Sequence, residues 1–95
     1  MTIEKLPRFL RDVKKLTKKR LLTLEQIEET ENLFIENREH SSLRYHFITC
    51  KKDKNRWSIT VPSTAYRILV TDLGDVVKFN TLLDHDSYDR INKNC

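Results

Sequence analysis

Residues 57–70 read Trp57-Ser58-Ile59-Thr60-Val61-Pro62-Ser63-Thr64-Ala65-Tyr66-Arg67-Ile68-Leu69-Val70. Trp57, Ile59 and Val61 alternate with polar residues, which predicts a β-strand with one buried face. Pro62-Ser63-Thr64 predicts a turn, and the segment from Ala65 to Thr71 predicts the next strand. Because two strands joined by a short turn pair antiparallel, this stretch predicts the centre of an antiparallel sheet.

Two helices are predicted upstream of this hairpin. Pro7 suits the first position of a helix, since its missing N–H would have no partner there. Apolar residues then recur at helical spacing opposite a basic face: Leu6, Phe9, Leu10, Val13 and Leu16. Thr23 with Gln26 three residues later predicts a capping box at the start of the second helix.

Period-two alternation, turn residues and a polar tail predict the remaining elements. They are a short strand or extended lead-in at residues 3–6, strands at residues 43–50 and 76–82, a tight turn at 72–75, and a short final helix within 84–94. Residues 1–95 are therefore expected to form a single α+β domain. Its N-terminal helical hairpin would be packed on an antiparallel β-meander of about four strands.

Charge is unevenly distributed along this basic chain, whose net charge is +4. Cations dominate between Lys5 and Arg20, and carboxylates dominate between Glu25 and Glu39. A second group of cations, here called the loop cluster, consists of Lys51, Lys52, Lys54 and Arg56. Such clusters favour a polyanionic partner, either nucleic acid or an acidic protein, although solvated helix faces have the same pattern.

Several classes of protein do not fit the sequence. No apolar run approaches the roughly 18–20 residues of a membrane span, and the first residues lack the apolar core of a secretory signal, so a cytoplasmic location is expected. Cys50 and Cys95 are not expected to form a disulfide framework. His40, His46 and His85 lack metal-ligand spacing, so neither a metal nor a small-molecule cofactor is expected.

Four residues are candidates for chemistry. Arg67 is predicted on the open face of the sheet, where a guanidinium group can bind a phosphate or form a cross-strand ion pair. His85 and Tyr88 lie three residues apart and would point the same way on a helix, where they could transfer protons or simply form a helix start. His46 is a further candidate on its strand, with a structural role as the alternative.

An ordered set of motifs resembles the RelE/ParE superfamily, the small basic toxins of type II toxin–antitoxin modules. It comprises Phe9-Leu10-Arg11-Asp12-Val13-Lys14-Lys15-Leu16, Arg56-Trp57-Ser58-Ile59, Tyr66-Arg67-Ile68 and His85-Asp86-Ser87-Tyr88. The ending His85-Asp86-Ser87-Tyr88-Asp89-Arg90-Ile91 is similar to the HigB branch in particular. The resemblance implies a RelE/ParE-like fold and a small acidic antitoxin as partner.

The resemblance also implies roles for single residues. In the ribonucleases of this superfamily, the arginine of the Tyr-Arg strand binds the scissile phosphate, and a C-terminal His or Tyr transfers a proton or stacks on a base. These roles fall on Arg67, His85 and Tyr88. RelE itself has lysines on the strand before the Tyr-Arg strand, where this chain has Ser58 and Thr60, so the missing charge would come from the loop cluster or from His46.

Three functions are compatible with the resemblance. The first is an endoribonuclease that cuts mRNA on the ribosome and so inhibits translation. The second is a ParE-like inhibitor of DNA gyrase without nuclease chemistry, which the missing lysines favour and the His85–Tyr88 pair disfavours. The third is an inactive homologue that binds nucleic acid.

Overall fold

The computed structural model describes residues 1–95, which form five strands, three α-helices and one 3₁₀ turn. In chain order they are β1 (Thr2–Lys5), α1 (Pro7–Lys18), α2 (Leu24–Glu36), the 3₁₀ turn (Ser41–Leu43), β2 (His46–Phe47), β3 (Arg56–Thr60), β4 (Arg67–Asp72), β5 (Val76–Leu83) and α3 (His85–Lys93). The strands form one sheet in the order β1-β5-β4-β3-β2. The predicted α+β class with an N-terminal helical hairpin is confirmed.

Both helix starts in the hairpin follow the sequence signals. Pro7 is the first residue of α1, and Thr23 caps α2 by accepting a hydrogen bond from the Gln26 backbone N–H at 3.1 Å. The Gln26 side chain accepts in return from the Thr23 N–H at 2.9 Å, which completes the predicted capping box. These bonds satisfy two amide groups that the helix itself cannot pair.

The main core lies between this hairpin and one face of the sheet. It contains twelve buried residues: Phe9, Leu22, Ile27, Phe34, Leu43, Ile59, Val61, Ile68, Val70, Val77, Phe79 and Leu82. Phe79 contacts Phe9 and Phe34 edge-on, with ring centroids 5.4 and 6.0 Å apart. Leu10, predicted on the buried side of α1, is 50% exposed, so the buried face of α1 is narrower than predicted. On the other face of β3 and β4, Ser58, Thr60 and Leu69 are also buried, whereas Arg67 is partly exposed.

The sheet differs from a four-stranded antiparallel meander at both edges. β1 is a fifth strand that pairs in parallel with β5, from Thr2 opposite Val76 to Lys5 opposite Phe79. β2 has only two residues. It begins later than predicted, because Arg44 adopts a left-handed conformation with φ of 46° and interrupts the alternation that starts at Leu43. The pairing of β1 with β5 joins residues that are more than 70 positions apart in sequence, and no local sequence pattern predicts it.

A disulfide joins Cys50 to Cys95, contrary to the expectation from sequence. The two Cα atoms are 4.7 Å apart although 45 residues separate them. Helix α3 causes this proximity, because it returns the C-terminal residues to the segment between β2 and β3, where the Lys51 N–H also donates to the Cys95 carbonyl at 3.4 Å. No helix of the chain is long and apolar enough to cross a membrane.

Replacing Cys95 by serine is expected to lower the free energy of unfolding by about 2–4 kcal/mol, because a cross-link over a long loop restricts the unfolded chain. For a domain of this size, that loss lowers Tm by about 10–30 °C. Thermal denaturation followed by circular dichroism measures it. The parent protein treated with a thiol reductant should have the same Tm as the serine variant. A parent whose Tm is unchanged by reductant would show that the cross-link contributes nothing.

Candidate active site on the open face of the sheet

Helix α3 crosses the face of the sheet opposite the helical hairpin. Asp84 caps it by accepting a hydrogen bond from the Ser87 backbone N–H at 2.8 Å, and that bond lowers the pKa of the Asp84 carboxyl. The cap therefore stabilises α3 above the ordinary titration range of a carboxylate and is lost as the pH falls. Tyr88, one turn into the helix, is buried against Leu69 and Leu83 in a second, smaller apolar cluster. This packing holds the Tyr88 ring over β4.

Two rows of side chains run across the sheet beneath α3. Strand register places Thr60 opposite Arg67 and Arg67 opposite Leu83 in one row. The neighbouring row contains His46, Ser58, Leu69 and Thr81. Residues directly opposite each other share a face of a sheet, so Arg67 and His46 lie on the same face. The hydroxyls of Ser58 and Thr81 are buried in the second row without a hydrogen-bond partner.

Arg67 is held between a strand and the final helix. Its Nη1 donates to the Thr60 hydroxyl at 3.0 Å, and its Cζ lies 5.0 Å from the centre of the Tyr88 ring, in cation–π range. Its Nε is buried and has no partner. No carboxylate lies within 4.0 Å of the Arg67 guanidinium, so the alternative of a cross-strand ion pair is wrong. The charge of Arg67 is thus oriented but not neutralised.

His46 is hydrogen-bonded through both ring nitrogens. Its Nδ1 lies 2.7 Å from the carbonyl oxygen of Arg44, and its Nε2 lies 3.2 Å from the Tyr88 hydroxyl. Because a carbonyl only accepts, Nδ1 must carry the proton, and in the neutral ring Nε2 is then free to accept. The side chain of His46 is exposed. The structure therefore brings together Arg67, Tyr88 and a histidine whose accepting nitrogen is defined.

His85 stands apart from this group. It begins α3, its side chain is 54% exposed, and its Nδ1 lies 3.2 Å from Asp89 one turn along the helix. No hydrogen bond joins it to Arg67, His46 or Tyr88. Spacing in the sequence put His85 and Tyr88 on neighbouring positions of one helix, but only Tyr88 is turned inward.

The loop cluster lies at the other end of the β3–β4 hairpin. Arg56 pairs with Thr71, whereas Arg67 pairs with Thr60, so the two arginines are separated by about 13 Å along β3. The Arg56 side chain donates to the Cys95 sulfur at 3.0 Å and lies 4.0 Å from Asp53. Lys51, Lys52 and Lys54 are exposed. The structure therefore does not bring the loop cluster next to Arg67.

Arg44 is the cation that sequence reasoning missed. It lies at the end of the 3₁₀ turn, lines the same cleft as Arg67, and has no ion-pair partner. The residues around Arg44 predicted only a strand. The left-handed backbone of Arg44 could not be predicted, because arginine is not a residue type that favours this conformation.

No protein-family model matches this chain, and no curated protein matches it in sequence. Solved structures match in fold. The E. coli DinJ–YafQ complex superposes with a TM-score of 0.72 at 20% identity, covering 90% of this chain and 93% of the matched chain. The YoeB/ParE toxin from Agrobacterium tumefaciens has a TM-score of 0.65 at 11% identity, covering 90% and 99%. The RelB–RelE antitoxin–toxin complex from Methanococcus jannaschii has a TM-score of 0.56 at 19% identity, covering 90% and 94%. The chain thus has the RelE/ParE toxin fold that the resemblance implied.

Proposed function

We propose that this protein is the toxin of a type II toxin–antitoxin module and that it cuts mRNA on the ribosome in the cytoplasm. The observation that carries the proposal is the joined set of Arg67, Tyr88 and His46 on the face of the sheet that α3 crosses. An unneutralised guanidinium group beside a proton acceptor and a proton donor is what phosphodiester cleavage requires. Solved relatives in fold include toxins bound to the antitoxins DinJ and RelB.

In the proposed reaction, the 2′-OH of the RNA attacks the adjacent phosphorus. The Tyr88 hydroxyl turns its hydrogen from His46 Nε2 to the 5′-oxygen, which frees the Nε2 lone pair to accept the 2′-OH proton. Arg67 stabilises the negative charge that develops on the phosphate oxygens. The P–O5′ bond breaks, and the Tyr88 hydroxyl donates its proton to the leaving 5′-oxygen. The proton on His46 then returns to Tyr88 along the 3.2 Å contact between them. The products are a 2′,3′-cyclic phosphate and a free 5′-OH.

This arrangement replaces a lysine-based site by a histidine-based one. Ser58 and Thr60 lie on the strand where RelE itself has lysines, and neither side chain can carry a positive charge. Thr60 instead accepts a hydrogen bond from Arg67 and so positions the guanidinium group. His46 on the neighbouring strand takes over proton transfer, so the missing lysines do not by themselves favour a gyrase inhibitor.

A small acidic antitoxin is the proposed protein partner, and α1 is the surface that supports it. Between Lys5 and Arg20 the chain has eight cations, and Lys5 alone forms an ion pair, with Glu31 at 2.7 Å. The other cations face solvent without a carboxylate within ion-pair distance. A partner with complementary charge would associate rapidly and in a salt-dependent manner.

Translating ribosomes and DNA gyrase are the two targets to compare. The purified protein is expected to cut mRNA in a reconstituted translation reaction and to leave gyrase supercoiling unaffected. An Arg67→Gln variant is the control for contaminating nuclease. Intact mRNA together with inhibited supercoiling would replace this proposal by the ParE-like function. Intact mRNA with normal supercoiling would favour an inactive homologue.

A further inference from the structure

A polar cleft of about 670 Å³ adjoins Arg67, and neither Tyr88 nor His46 lines it. The 3₁₀ turn forms one wall and the turn between β3 and β4 forms the other. Its polar lining includes Ser41, Ser42, Arg44, Ser63, Thr64 and Arg67. The lining therefore has two guanidinium groups and several hydroxyls, and it has no carboxylate.

Two other clefts contain cations, and both also contain carboxylates. Arg44 borders one of them on its other side, together with Arg38, Glu39 and Asp72. The second lies between α1 and α3, has a volume of about 360 Å³, and combines Arg8, Lys15 and Arg90 with the carboxylates of Asp12 and Asp84. Those carboxylates repel an anion and offset part of the positive charge. The cleft beside Arg67 is thus the one with uncompensated cations.

Both walls of the cleft are fixed by hydrogen bonds to backbone carbonyls. The Arg44 N–H donates to the Ser41 carbonyl at 3.3 Å, and the Arg44 carbonyl accepts from His46 at 2.7 Å. In the opposite wall, the Thr64 hydroxyl donates to the Val61 carbonyl at 2.8 Å. Arg44 can therefore present its charge from a backbone that is already ordered, which reduces the entropy lost on binding.

We propose that this cleft binds a second phosphate of the RNA strand, next to the scissile phosphate held by Arg67, and that Arg44 is its main ligand. The inference rests on the proposed function, because it assigns the scissile phosphate to Arg67. A guanidinium group with neighbouring hydroxyls binds phosphate oxygens through several charge-assisted hydrogen bonds. A single strand would thus contact the protein through two consecutive phosphates. Their spacing along the strand orients the nucleotide between them.

Thymidine 3′,5′-bisphosphate is a suitable probe, because its two phosphates flank one nucleoside and it has no 2′-OH to react. Its affinity is compared with those of thymidine 3′-monophosphate and 5′-monophosphate by NMR titration at constant ionic strength. The parent is expected to bind the bisphosphate about tenfold more tightly than either monophosphate, which corresponds to one charge-assisted contact. Arg44→Gln should abolish this advantage. Arg90→Gln makes the same change in the cleft between α1 and α3 and should keep the tighter binding of the bisphosphate.

Each outcome tests one assignment. An advantage that persists in Arg44→Gln, or that Arg90→Gln reduces equally, would overturn the second phosphate site while leaving the proposed function intact. Monophosphate binding that is unaffected by Arg67→Gln would contradict the proposed function itself. Loss of the advantage in Arg44→Gln alone, with monophosphate affinity preserved, would establish the second site.

Discussion

Replacing Arg67 by glutamine is expected to slow mRNA cleavage by about 30- to 1000-fold, which corresponds to about 2–4 kcal/mol of lost transition-state stabilisation. Glutamine keeps a hydrogen-bond donor for Thr60 but removes the charge beside the phosphate. The rate constant for cleavage under single-turnover conditions on programmed ribosomes measures the effect.

The fold should survive this change, because the Arg67 side chain lies outside both apolar clusters. Circular dichroism spectra and Tm are expected to stay close to those of the parent. Arg90→Gln serves as the charge-matched control and should cut mRNA at nearly the parental rate. A folded Arg67→Gln variant that is as active as Arg90→Gln would show that Arg67 does not bind the scissile phosphate.

Replacing His46 by glutamine is expected to slow cleavage by about 100- to 10,000-fold, the range that a positioned acid or base contributes. Glutamine can still bond to the Arg44 carbonyl, but it cannot accept a proton from the 2′-OH. Tyr88→Phe removes the proposed proton donor and keeps the ring that packs on Leu69 and Leu83. Both variants should retain ribosome binding, because neither removes a permanent positive charge.

His85→Gln separates this account from the assignment made on sequence spacing. His85 is exposed and bonded to Asp89, so its replacement is expected to leave most of the cleavage rate. The opposite result would be slow cleavage by His85→Gln together with nearly parental cleavage by His46→Gln. It would assign the proton transfer to His85 at the start of α3 and not to His46 on β2.

Local signals in the sequence predicted the local structure well. Three predicted features depend only on residues close together in sequence. They are the capping box of Thr23 and Gln26, the helix that begins at Pro7, and the turn before Val76. The alternation of Trp57, Ile59 and Val61 predicted the buried face of β3 in the same way. The position of Arg67 on the opposite face followed, because the register of a two-strand hairpin leaves little freedom.

Features that depend on distant contacts were missed or misplaced. β1 pairs with β5, and the Cys50–Cys95 disulfide depends on where α3 ends, so neither follows from spacing. His85 was predicted to act with Tyr88 because the two are close in sequence. In the structure Tyr88 contacts His46, which is 42 residues away along the chain. Such contacts appear only once the sheet has assembled.

Cleavage of an mRNA with a single 2′-deoxy substitution tests the central claim most directly. One substrate carries ribose throughout, and the other lacks the 2′-OH only at the nucleotide whose 3′-phosphate is cut in the first. On programmed ribosomes, the all-ribose mRNA is predicted to give fragments with a 2′,3′-cyclic phosphate and a 5′-OH, and the deoxy substrate to stay intact at that bond. Equal cleavage of both substrates, or fragments with a 5′-phosphate, would contradict transfer of the 2′-OH proton to His46 and with it the proposed active site.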